Sequence, residues 1–124
     1  MKALTFDKLK ERLVSLEKLQ CPRGLGKTEQ KKMYITMNLI RYFEESVKDL
    51  WMQEKIQGIA HNYIYAEAIA AGTCAALNTT DIVTSTHRGH GHAIAKGADV
   101  KKMMAELYGK VEGLNEGRGG SMHI

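Results

Sequence analysis

The sequence predicts a mostly helical α/β chain. Three observations carry this: apolar residues recur at intervals of three and four along several stretches, one short β-branched run stands at Ile82–Thr86, and glycines gather after Tyr108. At 124 residues the chain is one domain or a piece of one. Apolar residues at 44% and charged residues at 26% are ordinary for a globular protein.

The elements follow in order. Phe6, Leu9, Leu13, Leu16 and Leu19 form an amphipathic stripe over about Thr5 to Gln20, which Cys21-Pro22-Arg23-Gly24 ends. Residues 1–27 therefore read as a helix and linker ahead of the remainder, 28–124. Thr28 is a suitable N-cap for a second helix with Glu29 in its first turn, although Lys31 stands where a capping box wants Glu or Gln. Met33, Met37, Ile40, Phe43, Val47 and Leu50 make its core stripe, and Lys32, Arg41, Glu44, Glu45 and Lys48 fill its polar face, with Gly58 closing it. Ala66 to Leu77 is rich in small residues and predicts a buried helix. Ile82-Val83-Thr84-Ser85-Thr86 predicts a buried strand. A short helix is expected around Ala93 to Lys96. Asp99 caps a further helix from Val100 to Tyr108, with Met103, Met104 and Leu107 inward and Gly109 at its end. The run from Gly109 to Ile124 reads as a glycine-rich loop with nothing to dock it, as though the chain were cut within a domain.

Bulk properties narrow the function classes. The net charge of +4 is spread from Lys2 to Arg118 among acids, so neither a basic stripe nor a nucleic-acid footprint emerges. No run of 18 apolar residues is present, and no membrane span is expected. The opening residues lack an apolar h-region, and the two cysteines, Cys21 and Cys74, lie far apart. A cytoplasmic protein with reduced thiols is the expectation.

Chemistry concentrates at Thr86-His87-Arg88-Gly89-His90-Gly91-His92, where three of the five histidines follow the expected strand. Strand ends that run into glycine-containing turns are where α/β proteins place ligands. Glycine lets backbone N–H groups approach an anion, a guanidinium presents a planar fork of donors, and imidazoles move protons near neutrality. Three readings stay open on these residues alone: a loop that contacts phosphate and manages protons, a metal site built on His-x-x-His-x-His, or a structural loop whose histidines only form hydrogen bonds. The glycines at 89 and 91 argue against a helix here, and Arg88 between ligands is unfavourable to a metal. His61, in an expected loop between helices, reads as a hydrogen-bonded loop residue. Glu67 has a sufficient reason in the dipole of its helix, with a carboxylate addressing a cofactor nitrogen as the sharper alternative.

The order of these words resembles a known family. Met33-Tyr34, Arg41-x-Phe43-Glu44-Glu45, Gly58-x-x-His61, Thr86 to His92, Ala95-Lys96-Gly97, Met104-Ala105-Glu106-Leu107-x-Gly109-Lys110 and Gly117 to Ile124 succeed one another as in the alpha subunits of thiamin-diphosphate-dependent 2-oxo-acid and acetoin dehydrogenases. The likeness covers about residues 30–124, and His87 with His92 gives it the acetoin flavour, since pyruvate enzymes usually carry tyrosine in place of His87. The resemblance implies the N-terminal, mostly helical part of a thiamin-diphosphate-binding three-layer α/β fold, incomplete at its C-terminus. It implies thiamin diphosphate and Mg2+ as cofactors, with the metal ligands beyond residue 124. It implies His87 and Arg88 at the diphosphate, His61 facing the substrate, and His90 lining the active-site entrance, so that His61 and His90 are the catalytic candidates. Partners implied are a beta subunit in a heterotetramer, a lipoyl-bearing acyltransferase component and a small carbonyl substrate, whose two-carbon unit passes to the lipoyl group or another acceptor.

Two departures stand out. The family's usual Tyr-x-Gly-Gln/Glu-Glu-Ala is Tyr63-Ile64-Tyr65-Ala66-Glu67-Ala68 here, and Tyr65 in place of glycine is expected to crowd the loop that carries His61. The Gly-Asp-Gly motif with a downstream Asn is absent, so this chain alone is expected to bind the cofactor feebly and to have no turnover. A pyruvate or branched-chain substrate is the runner-up, and a catalytically dead helical binding or assembly module the alternative of another class.

Overall fold

The computed structural model of the chain describes residues 24–124. The helix expected at Thr5–Gln20, Cys21 and most of the 1–27 segment lie outside the described residues. Four helices follow: α1 (Lys27–Met52), α2 (Glu67–Ala75), α3 (His90–Ala95) and α4 (Val100–Leu107).

The α1 helix is the spine. Its buried positions Ile40, Phe43, Glu44 and Val47 follow the i, i+3, i+4, i+7 rule that puts residues on one face. Three of them are the expected apolar stripe. Glu44, assigned from sequence to the polar face, is 0% exposed because its neighbours supply the hydrogen bonds a buried carboxylate needs. The helix begins one residue before Thr28, with Gly26 at the N-cap and no side-chain cap. It also stops well before Gly58. Glu54 turns left-handed at φ 58°, its N–H bonds the Trp51 carbonyl, and the Lys55 N–H bonds that of Leu50, which is the paired closure of a Schellman motif. The α4 helix ends the same way at Gly109, where φ of 66° suits glycine, after Asp99 caps its start by accepting from the Lys101 and Lys102 N–H groups.

The α1, α2 and α3 helices pack on one another. Their apolar faces enclose Ile40, Phe43, Val47, Ala70 and Ile94, and Ile56, Tyr63, Met103 and Leu107 complete the core. Met103, with no exposed surface, contributes about 1.5–3 kcal/mol by burial.

Three expectations change. Among the described residues there is no strand, and 81–86 has no regular secondary structure; Ile82 is 93% exposed. A β-branched run becomes a strand only when a second extended segment completes its ladder, and the described residues supply none. The chain is helical over the residues described, and the α/β reading is not met there. The short helix starts at His90 rather than Ala93 and takes in Gly91. The glycine-rich segment is docked after all: Ser121 is buried, and Ile124 packs against the core.

Candidate functional site

Two loops far apart in sequence meet on one side of the bundle. The first, 61–66, leads into α2 and is pinned as a turn by the Ala66 N–H to the Tyr63 carbonyl at 3.1 Å. The second, 85–89, leads into α3. Arg88 Nη1 donates to the Asn62 carbonyl at 2.8 Å, and the rings of His61 and His87 meet edge to face with centroids 4.7 Å apart. Tyr63 and His92 add a second crossing: the hydroxyl lies 3.2 Å from Nε2, and the rings are 5.1 Å apart. The other nitrogen of His92, Nδ1, lies 2.9 Å from Ser85 Oγ. Burial pushes the Tyr63 hydroxyl above its ordinary pKa, with lesser contributions from Cys74 and Glu67, so this tyrosine stays protonated at neutral pH and can donate.

The glycine at 91 has a packing reason. A Cβ there would lie 2.3 Å from the Tyr63 ring, so Gly91 lets α3 slide under the tyrosine. Beside this crossing lies a cleft of about 380 Å3, lined by Ser85, Thr86, Gly89, His92, Lys96 and Met122 among others.

Beneath the exposed loops runs a buried polar chain. The Asn62 side-chain amide donates to the Glu44 carbonyl at 3.1 Å and to its Oε2 at 3.0 Å. Glu44 Oε1 lies 2.9 Å from His90 Nδ1. The other nitrogen, Nε2, is 3.0 Å from the Ser121 carbonyl and 3.1 Å from Ser121 Oγ. Ser121 Oγ in turn accepts the backbone N–H of His61 at 3.0 Å. A carbonyl can only accept, so one proton of His90 sits on Nε2, and another lies on the line between Nδ1 and the carboxylate.

The expected site residues therefore separate. His61, His87 and Arg88 come together at the surface, His87 and Arg88 exposed and His61 half-buried. His90, expected at an entrance, is 0% exposed, because two partners satisfy its ring inside the core and Phe43 packs edge-on against it. The three histidines of the His-x-x-His-x-His pattern point to three different partners. Among the described residues no group of three or more His, Cys, Asp and Glu side chains is arranged to hold a metal ion.

Glu67 is accounted for within the chain. Its Oε1 accepts from Arg41 Nε at 2.6 Å and from the Tyr65 N–H at 3.1 Å. The Arg41 hydrogen bond is the main reason its carboxyl stays below the usual range, against a smaller opposing effect of burial. Tyr65 does not crowd His61. It sits at φ 72°, is 89% exposed, and lies under the Arg41 guanidinium at 5.1 Å.

Residues given no site role from the sequence do much of the positioning: Glu44, Asn62, Glu106 and Ser121. Burial raises the Glu106 pKa, but four backbone N–H groups outweigh it and hold the carboxyl below the ordinary value. Asn115 and Gly117 donate to Oε2 at 2.7 and 2.9 Å, and Gly119 and Gly120 to Oε1 at 2.6 and 3.3 Å. One signal was available. Glu44 and Glu106 each stand between apolar residues of an inward stripe, Ile40 and Val47 in one case, Met103 and Leu107 in the other.

Every one of these site residues falls within the stretch 35–124 that matches the dehydrogenase E1 component family. The chain belongs to that family. This E1 chain is 52% identical over 109 residues to the alpha subunit of acetoin:2,6-dichlorophenolindophenol oxidoreductase of Bacillus subtilis (strain 168), covering 86% of the chain and 33% of that protein. The like-named subunit of Cupriavidus necator is 48% identical over 74% of the chain and 28% of its own length. The alpha subunit of the pyruvate dehydrogenase E1 component of Rhizobium meliloti is 43% identical over 80% of the chain and 28% of its own length. The E1 chain thus spans about a third or less of the curated relatives it matches. Among its described residues, no helix is long and apolar enough to cross a membrane.

Proposed function

We propose that this E1 chain forms the diphosphate-gripping and proton-handling wall of a thiamin diphosphate site in an acetoin-type dehydrogenase, completed by a beta subunit. The observation that supports it is the convergence of His61, His87 and Arg88 on one exposed face, held by Arg88 on the Asn62 carbonyl and by the ring contact of the two histidines. The donor set suits the cofactor's phosphates: a guanidinium with N–H groups left over, and an exposed imidazole beside it. It does not suit the accompanying magnesium ion, for which the described residues gather no ligand set.

When bound, thiamin diphosphate supplies a carbon nucleophile and an electron sink for cleaving next to a carbonyl. The residues of the chain hold and supply protons around it. Arg88 fixes the anionic end by charge-assisted hydrogen bonds. His87 adds an N–H beside it. His61, half-buried against His87, is the group placed to give or take a proton at the substrate. The greater identity to two acetoin oxidoreductase alpha subunits than to the pyruvate dehydrogenase subunit of Rhizobium meliloti supports the acetoin-type reading. In this reading the carbonyl substrate's two-carbon unit leaves to a lipoyl-bearing acyltransferase component or another acceptor.

Calorimetric titration of thiamin diphosphate with Mg2+ into the chain paired with its beta subunit tests the proposal. Arg88→Ala should weaken binding by roughly tenfold to a hundredfold, the loss of one or two charge-assisted hydrogen bonds. An unchanged affinity in that variant would remove the support. The unpaired chain should bind feebly; micromolar binding without a partner contradicts the two-chain site.

A further inference from the structure

We infer that the buried Glu44–His90–Ser121 unit is a positioning device that sets the main chain of His61, and so the aim of that imidazole. The inference rests on the functional reading above for what His61 faces, and on geometry alone for how it is held. His61 has one polar tie to the interior, its backbone N–H on Ser121 Oγ at 3.0 Å. That hydroxyl is not free to drift. Its own residue is clamped by His90 Nε2, 3.0 Å from the carbonyl and 3.1 Å from the hydroxyl. His90 is held from the other side by Glu44 Oε1 at 2.9 Å, and the second oxygen of Glu44 receives Asn62, the residue after His61.

The ties close a ring. From His61 the path runs through Ser121, His90, Glu44 and Asn62, back to the same loop. Residues from α1, the 61–66 loop, α3 and the glycine-rich segment take part. Glu44 and His90 are both 0% exposed. A buried polar network of this kind is fully paired, since no buried side-chain nitrogen or oxygen among the described residues lacks a partner. An apolar core would stabilise the bundle as well, so the network's distinctive effect is directional: it fixes one register of the His61 loop against the segment that carries Ser121. Glu44 and His90 have no exposed surface and Ser121 is buried, so these three are positioning residues rather than catalytic ones.

Ser121→Ala in the full chain tests this by NMR. It removes only the hydroxyl, leaving the Ser121 carbonyl for His90. The His61 amide should exchange with solvent about tenfold faster, as expected for loss of one intramolecular hydrogen bond. The cross-ring contact between His61 and His87 should weaken, while amides of the α1 core keep their rates. Ser121→Thr, which restores a hydroxyl, should return the His61 amide to its original rate. An unmoved His61 amide in Ser121→Ala overturns the inference. So does a uniform acceleration of all core amides that threonine fails to reverse. Glu44→Gln gives a second reading, because loss of a fully paired acceptor should move the same His61 amide; silence there also counts against the device. Thiamin diphosphate titration of the chain paired with its beta subunit separates the two ideas. Absent cofactor binding with these amide effects intact would sink the functional reading and leave the positioning device standing.

Discussion

Glu106→Gln should be among the most damaging single-atom changes in this chain. The Glu106 side chain is 1% exposed and takes four backbone N–H groups, two on each oxygen. Glutamine keeps the shape but replaces one acceptor oxygen with an NH2 group. Whichever way the amide turns, two of the four donors then face another donor. Hydrogen bonds to a charged acceptor are each worth about 1.5–3 kcal/mol, and an orphaned N–H costs about 1–3 kcal/mol where water cannot reach it. Asn115 is exposed and the three glycines only half-buried, so water recovers part of this. The net loss is about 2–4 kcal/mol, a large fraction of the 5–15 kcal/mol that holds a typical domain together. Urea denaturation measures the loss as a lower midpoint at constant slope. Hydrogen exchange localises it, with one pair of amides released first, either Asn115 and Gly117 or Gly119 and Gly120. A midpoint within the error of the unmodified chain, with both pairs of amides still protected, would refute the reasoning.

Other outcomes are open to measurement. Gly91→Ala puts a methyl group into the Tyr63 ring and should cost about 1–3 kcal/mol in denaturant melts, with loss of the Tyr63–His92 ring contact by NMR. Glu67 and Glu106 both have folded pKa values below the unfolded glutamate value of about 4.3, so they bind fewer protons folded than unfolded at that pH. Their contribution is fully present above that value and is lost as pH falls through the depressed folded values; melting temperature should hold from pH 7 to about 5 and then drop, less steeply in Glu67→Gln. Tyr65→Gly relieves a left-handed tyrosine worth about 1–2 kcal/mol but gives up the Arg41 contact and some unfolded-state restraint, so stability should move by under about 1 kcal/mol. The His61–His87 contact should be untouched in that variant. Burial raises the Cys74 thiol pKa, and its alkylation at pH 8 should be much slower than that of a peptide cysteine.

What the sequence disclosed follows the range over which each signal acts. The stripe Ile40–Phe43–Val47 and the Asp99 cap were legible because helix periodicity and capping involve neighbours within one or two turns. The surface grouping of His87 and Arg88 is likewise local, while the arrival of His61 beside them came from resemblance rather than from spacing. The fate of Glu44 could not be seen at 44 alone: its burial depends on a histidine 46 positions later and an asparagine 18 positions later. The resemblance put His90 at an entrance, and the structure buries it against Glu44 and Ser121, partners 46 and 31 positions away. The strand at 82–86 failed because β-branching states a preference that only a second segment can realise. Gly91 was read as clearance for a ligand and instead clears Tyr63, two explanations that composition cannot tell apart.

Arg88 carries a last consequence. A free arginine side chain holds about 2 kcal/mol of rotamer entropy, and a binding site must remove most of it when an anion is captured. Here the Asn62 carbonyl already holds one guanidinium nitrogen at 2.8 Å, and Asn62 is itself anchored to Glu44 in the core. The hydrogen bond uses one nitrogen of an exposed guanidinium and leaves the others to solvent or to an oxyanion. On the proposed function, part of the ordering is done as the chain folds, so an anion captured at Arg88 would meet a guanidinium already held at one nitrogen, and the stability of the bundle would become part of the strength of its grip.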